Sequence, residues 1–196
     1  LSTKIMIGAS SFMTAYWVYI LVAILALVLF VRYLLRQPAG RMVWDKLVLK
    51  TPILGPLFQQ IYLVRFTRSL ETLIVGKVPL TVGLKSVSDI VGNAVFKDII
   101  SRTVKEVEDG NSISTIFVDS PFVPSMLSQM MVVGEQTGRL EEVLNKLSSF
   151  YSREIDNTVA NLVTLIEPIV MVFMGIAVGG MVAAIILPTF KLASQV

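Results

Sequence analysis

The chain has 196 residues, 54% of them hydrophobic, with 17 Lys and Arg against 14 Asp and Glu for a net charge of +3. A mean hydropathy of +0.74 exceeds what a soluble domain with a polar surface tolerates and points to a membrane protein. Cysteine and histidine are absent, which excludes disulfides, Cys/His metal sites, thiolate nucleophiles and the histidine relays of many hydrolases.

The first element is an apolar block. No charge lies between Lys4 and Arg32, and the 17 residues Ala15 to Val31 are nearly continuous hydrocarbon, about 26 Å as a helix. With their uncharged flanks they can cross a hydrocarbon core of about 30 Å. A cleaved signal peptide fits less well: the run is too long, no small-x-small site follows, and Arg32 and Arg36 read as stop-transfer. Tyr16, Trp17 and Tyr19 at one end and Tyr33 at the other resemble interfacial aromatic belts. Arg32, Arg36, Arg41, Lys46 and Lys50 follow the block while only Lys4 precedes it, so the positive-inside rule puts the middle of the chain in the cytoplasm.

That middle punctuates as short helices, without the long alternation that strands require. Breaks are expected at Gln37, Pro38 and Gly40, at Thr51-Pro52 and at Gly55-Pro56. From Leu57 onward Phe58, Ile61, Tyr62, Phe66, Leu70, Leu73 and Ile74 form one helical stripe, which Gly76 stops. Pro79 suits the first turn of a helix to Val91, where its missing N–H costs nothing. A helix over Ala94 to Asp109 ends at Gly110, and Ser112 can cap a short one over Ser114 to Val118. After a loop over Asp119 to Pro124, a Met- and Leu-rich helix runs from Pro124 to Val133 and gives way to a turn at Gly134 to Gly138. In that reading Gly134 and Gly138 end one helix and start another, with Glu135 near the N-terminus of the second, where negative charge is favoured. Arg139 opens the last helix, with Leu140, Val143, Leu144, Leu147 and Phe150 inward and Glu142–Lys146 as an i, i+4 pair outside.

This helix meets no breaker before Glu167-Pro168, so it predicts one rod joining the middle to a second apolar block. Pro168 to Leu187 is 20 uncharged residues, again about 30 Å. Glu167 is the one carboxylate within either block, at a depth where a charge must face protein or the interface. It is either a partner or proton site or an edge residue marking a kink, and Pro168 either bends the rod or begins a fresh helix. Gly175 and Gly179, with Ala183, share one face and suit close helix packing. Gly134-Glu-x-x-Gly138 lacks the Gly-Lys-Ser/Thr tail of a phosphate loop. Residues 37 to 158 hold 13 basic and 13 acidic side chains, so the excess charge belongs to the membrane flanks and no nucleic-acid surface is expected.

The expected architecture is all-α: a cytoplasmic bundle of about six helices flanked by two transmembrane helices. Residues 1–11 form an outer segment, 12–36 a span, 37–161 the bundle, 162–190 the second span and 191–196 a short outer tail.

The words Gly76-Lys-Val-Pro-Leu80, Gly110-Asn-Ser112, Gly134-Glu-Gln-Thr-Gly-Arg-Leu140, Glu141-Glu-Val-Leu144, Glu167-Pro168 and Leu187-Pro-x-Phe190 resemble those of a known group. It is the inner-membrane platform family of type II secretion systems and type IV pili, the GspF/PilC family. That family has two copies of a helical cytoplasmic domain and three spans, and this chain is similar to its carboxyl-terminal half. The resemblance implies a bacterial inner-membrane, non-enzymatic platform without cofactors. It would couple a cytoplasmic hexameric secretion ATPase to pilin or pseudopilin subunits, contact other inner-membrane components and lipid, and self-associate. Gly76, Pro79, Gly134, Glu135, Gly138, Glu167, Pro168, Gly175 and Gly179 are the candidate partner-contacting or structural residues. A transporter or channel subunit is the alternative, weakened by the scarcity of ionisable groups in the spans.

Overall fold

Proline opens helices here more often than it breaks them. The computed structural model describes residues 36–193 continuously, with side chains through residue 182, and single positions between residues 16 and 33. Those single positions are helical and exposed, but the expected span over 12–36 lies for the most part outside the described residues. At the expected break of Gln37 to Gly40 the chain starts helix α1 (Pro38–Lys50) instead. Pro38 occupies the first helical position, where an N–H would have had no partner and a φ near −65° is already helical. Thr51 ends α1, its hydroxyl donating to the Val48 carbonyl at 2.7 Å, and Pro52 prevents continuation.

Helix α2 (Leu54–Val75) takes Gly55 and Pro56 into its first turn, so the break expected there is a helix start as well. The two helices meet at 113°. A Cβ on Gly55 would sit 2.5 Å from the Leu49 carbonyl oxygen, so the corner closes only on glycine. Gly55→Ala is therefore expected to destabilise the protein by about 1 to 3 kcal/mol, read as a lower unfolding temperature in detergent. An unchanged midpoint would show that the corner relaxes freely.

At the end of α2, Gly76 sits at the helix terminus as expected, but the left-handed residue is Lys77, at φ 58°. Its N–H donates to Ile74 and that of Val78 to Leu73, the paired bonds that close a helix through a left-handed residue. Gly110 and Gly138 close their helices the same way without a Cβ to strain. Lys77→Gly is expected to raise stability by about 1 kcal/mol, measured by the same unfolding experiment.

Pro79 immediately precedes α3 (Leu80–Ile90) rather than lying within it. Helix α4 (Ala94–Glu108) is capped twice: the Asn93 carbonyl oxygen of the side chain accepts from Val95 and Phe96, and Asp45 from α1 accepts from the Ala94 N–H at 2.6 Å. The short α5 (Thr115–Asp119) follows, then α6 (Ser125–Thr137) and α7 (Leu140–Ala193). The structure is thus all-helical, with seven helices among the described residues.

Helix α2 runs antiparallel along α7, as the contacts of Gln60 with Thr158 and Glu71 with Asn145 show. Between them and α3 to α6 lies one apolar core of Leu63, Phe66, Leu70, Leu84, Ile100, Leu127, Met131 and Leu144, with Phe66 and Phe117 rings 5.1 Å apart. The stripe expected on α2 is shifted: Leu63 and Thr67 are buried, while Ile61 and Ile74 are half-buried. Helix α2 packs against α7 on one side and α3 on another, so its buried arc is wider than a single stripe. Thr67 is tolerated there because its hydroxyl donates to the Leu63 carbonyl.

Candidate coupling site

Helix α7 is one uninterrupted helix of 54 residues, about 80 Å long. Its first three turns belong to the core through Val143, Leu144, Leu147 and Tyr151. The Tyr151 hydroxyl is buried without a partner and burial pushes its pKa up to about 12, so it stays protonated at neutral pH. Beyond the half-buried Leu162 the large side chains, from Val163 through Ile169 and Phe173 to Met181, are all exposed. An apolar helix exposed on every side has lipid or another helix as its partner, and this one is long and apolar enough to cross a membrane. It is the one such helix among the described residues, two if the bent α1–α2 pair were a single broken span. Glu167 and Pro168 lie within α7, so the chain neither breaks nor begins a fresh helix there.

At the opposite end the expected turn over Gly134 to Gly138 is corrected. Residues through Thr137 continue α6, and only Gly138, at φ 67°, leaves the helix. Gly134 does not terminate a helix; it is buried where α6 meets α7, and a Cβ there would press on Val143 at 3.1 Å. The paired bonds from Gly138 to Glu135 and from Arg139 to Gly134 make the α6–α7 connection a single tight reversal.

Glu135 therefore sits in the last turn of α6, not at the start of α7. Its carboxylate reaches the segment before α5, accepting from the Ile113 N–H at 3.0 Å and from the Ser112 hydroxyl. Ser112, the residue expected to cap the short helix, accepts from the Ser114 N–H, while α5 itself starts one residue later than expected, after Ser114, without a side-chain cap. Beside Gly138 a groove of about 500 Å³ is lined by Glu71, Arg139, Glu141, Glu142, Asn145 and Lys146. Lys146 holds Glu142 at 2.7 Å and keeps its carboxyl below the usual range, while Glu71 accepts from Asn145 and neither it nor Glu141 has an ion pair among the described residues.

The candidate residues thus fall into two groups. The antiparallel α2–α7 pair places Gly76 and Pro79, after α2, at the same end as Gly134, Glu135 and Gly138. Glu167 and Pro168 lie about 40 Å away along α7, and Gly175 and Gly179 farther still, with no atom near their would-be Cβ positions.

The sequence profile of the family described as Type II secretion system (T2SS), protein F, matches residues 66–188, which include all nine of these residues. The chain belongs to the T2SS protein F family. Related members are type IV pilus assembly proteins PilC of Pseudomonas aeruginosa, 35% identical over 99% of this chain and 52% of that protein, and of Myxococcus xanthus, 34% identical over 99% and 46%. The type II secretion system protein F of Pseudomonas aeruginosa is 28% identical over 98% and 47%. The chain spans about half the length of these relatives. The T2SS protein F match begins inside α2, so α1 and its corner with α2 precede it. Gly55 and Asp45 were not among the expected site residues; their roles depend on backbone approach and on a cap 49 residues away.

Proposed function

We propose that this chain is part of an inner-membrane assembly platform of a type II secretion or type IV pilus machine, with its bundle in the cytoplasm and α7 crossing the bilayer. The bundle end around Gly76, Pro79, Gly134, Glu135 and Gly138 receives movement from a hexameric secretion ATPase. Helix α7 carries it across the membrane to pilin or pseudopilin subunits, which pack with further spans or a second copy on the Gly175/Gly179 face. The work is mechanical, with ATP hydrolysed elsewhere and no cofactor held here.

The observation that carries this reading is the continuity of α7 from the bundle core to its exposed apolar half. A helix without a break moves as a rod, so displacement at Leu140 is felt beyond Glu167. Crosslinking from cysteines placed at Arg139 and at Gly175 in the full protein, copurified with its native neighbours, tests it. The expected products join Arg139 to the ATPase and Gly175 to a pilin or another span. Labelling that finds residues 60–150 outside the cytoplasm would overturn the reading.

A further inference from the structure

Helix α1 has two unlike faces. Met42, Asp45, Val48 and Leu49 turn toward the bundle, and none is fully buried. Val43, Trp44 and Leu47 face away, 59%, 50% and 56% exposed, and occupy an arc of about 100°. Lys46 and Lys50 lie along one edge of that arc, whereas Arg36 and Arg41 line a groove on the bundle side with Asp89 and Asp98, Arg41 standing 4.0 Å from Asp45. Asp45 is the one acidic residue between Arg36 and Leu54, and it is withdrawn into the Ala94 cap with its side chain 14% exposed. The outward surface is consequently apolar and basic. Ile53 and Leu54, also exposed, extend it around the corner.

The placement of this face is equally specific. Extending the Gln60–Thr158 pairing toward the start of α2 puts Leu54 level with residues within about one turn of Glu167. Helix α2 follows α7, and α1 leaves it at 113°, within about 25° of perpendicular. A helix nearly perpendicular to the membrane-crossing rod, at the height where that rod enters the bilayer, lies nearly in the membrane plane.

We propose that α1 is an in-plane helix docked on the anionic phospholipid of the cytoplasmic leaflet, with Val43, Trp44 and Leu47 below the headgroups and Lys46 and Lys50 on the phosphates. The inference rests on the membrane placement proposed above. Charge complementarity selects anionic lipid as the occupant. Docking there fixes the height of the bundle over the bilayer, so that force on its far end acts on α7 instead of lifting the whole domain.

The test uses the full chain with Trp17→Phe, leaving Trp44 as its one tryptophan, in vesicles of phosphatidylcholine alone or mixed with phosphatidylglycerol. Quenching of Trp44 by lipids brominated near the headgroup, with protection from acrylamide, is expected in the mixed vesicles. Lys46→Gln and Lys50→Gln should each lower the docking equilibrium about fivefold there and much less in phosphatidylcholine. Acrylamide access to Trp44 in both vesicle types overturns the proposal, as does shielding that ignores lipid charge and both lysines, which would mark apolar burial, in the bilayer or against a second copy, without recognition of anionic lipid. Phe173→Trp in a chain with Trp17 and Trp44 both replaced by Phe separates the two claims. Quenching there but not at Trp44 overturns the docking of α1 alone; no quenching there by lipids brominated in the acyl chain overturns the membrane placement and α1 docking together.

Discussion

Asn161→Pro is expected to abolish fibre assembly while leaving the bundle folded and the chain inserted. Asn161 is exposed, past Tyr151, the last fully buried core residue of α7, and before Glu167. Proline there removes the bond from the residue 161 N–H to the Asn157 carbonyl and its ring collides with that carbonyl, a local cost of about 3 kcal/mol. A kink of about 20° at this point would displace the start of α7 by about 11 Å, since some 21 residues of helix lie between. No core side chain is removed, so the unfolding midpoint of the bundle should move much less than the assembly phenotype suggests. Asn161→Ala, which keeps the helix bond, should assemble normally. Full assembly by Asn161→Pro at normal protein levels would show that the rod need not be straight.

The continuity that this experiment attacks was legible in the sequence, because Arg139 to Ile166 contains neither Gly nor Pro. Pro168 was harder to read. It forfeits one hydrogen bond, but the turns on either side keep theirs and α7 persists through it. The misread positions share a cause. Glycine in a sequence looks like punctuation, whereas Gly134 and Gly55 are glycines because a neighbouring helix or carbonyl occupies the space of a Cβ. Pro38 and Pro56 also look like breaks, yet both stand in first turns where proline costs nothing. As a result the breaks expected at Gln37 to Gly40 and at Thr51-Pro52 bracket α1, which carries the basic apolar face, without marking it as a helix. Periodicity located the helices of the bundle to within a few residues but not their contacts: Asp45 with Ala94 and Glu135 with Ile113 are joined by tertiary packing alone.

Glu135→Ala is expected to stop assembly and also to weaken the bundle by about 1 to 2 kcal/mol, the lower part of the range for a charged hydrogen bond because the carboxylate is partly solvated. The loss falls on two groups at once. The Ile113 N–H, attached to a residue whose side chain is fully buried, has no other acceptor among the described residues, and Ser112 loses its charged acceptor and keeps only its bonds with Ser114. The segment leading into α5 then no longer moves with the last turn of α6, and α6 joins α7 through the Gly138 reversal. A push received on α5 or α6 would be dissipated in that segment before reaching the rod. Glu135→Gln separates this positioning role from direct contact with a partner, since its carbonyl oxygen can still accept from Ile113 without carrying charge. Stability and assembly restored together by Gln would assign Glu135 to positioning. Restored stability with no assembly would mean that a partner reads the carboxylate itself, and an Ala variant with unchanged melting and assembly would remove Glu135 from the coupling path altogether.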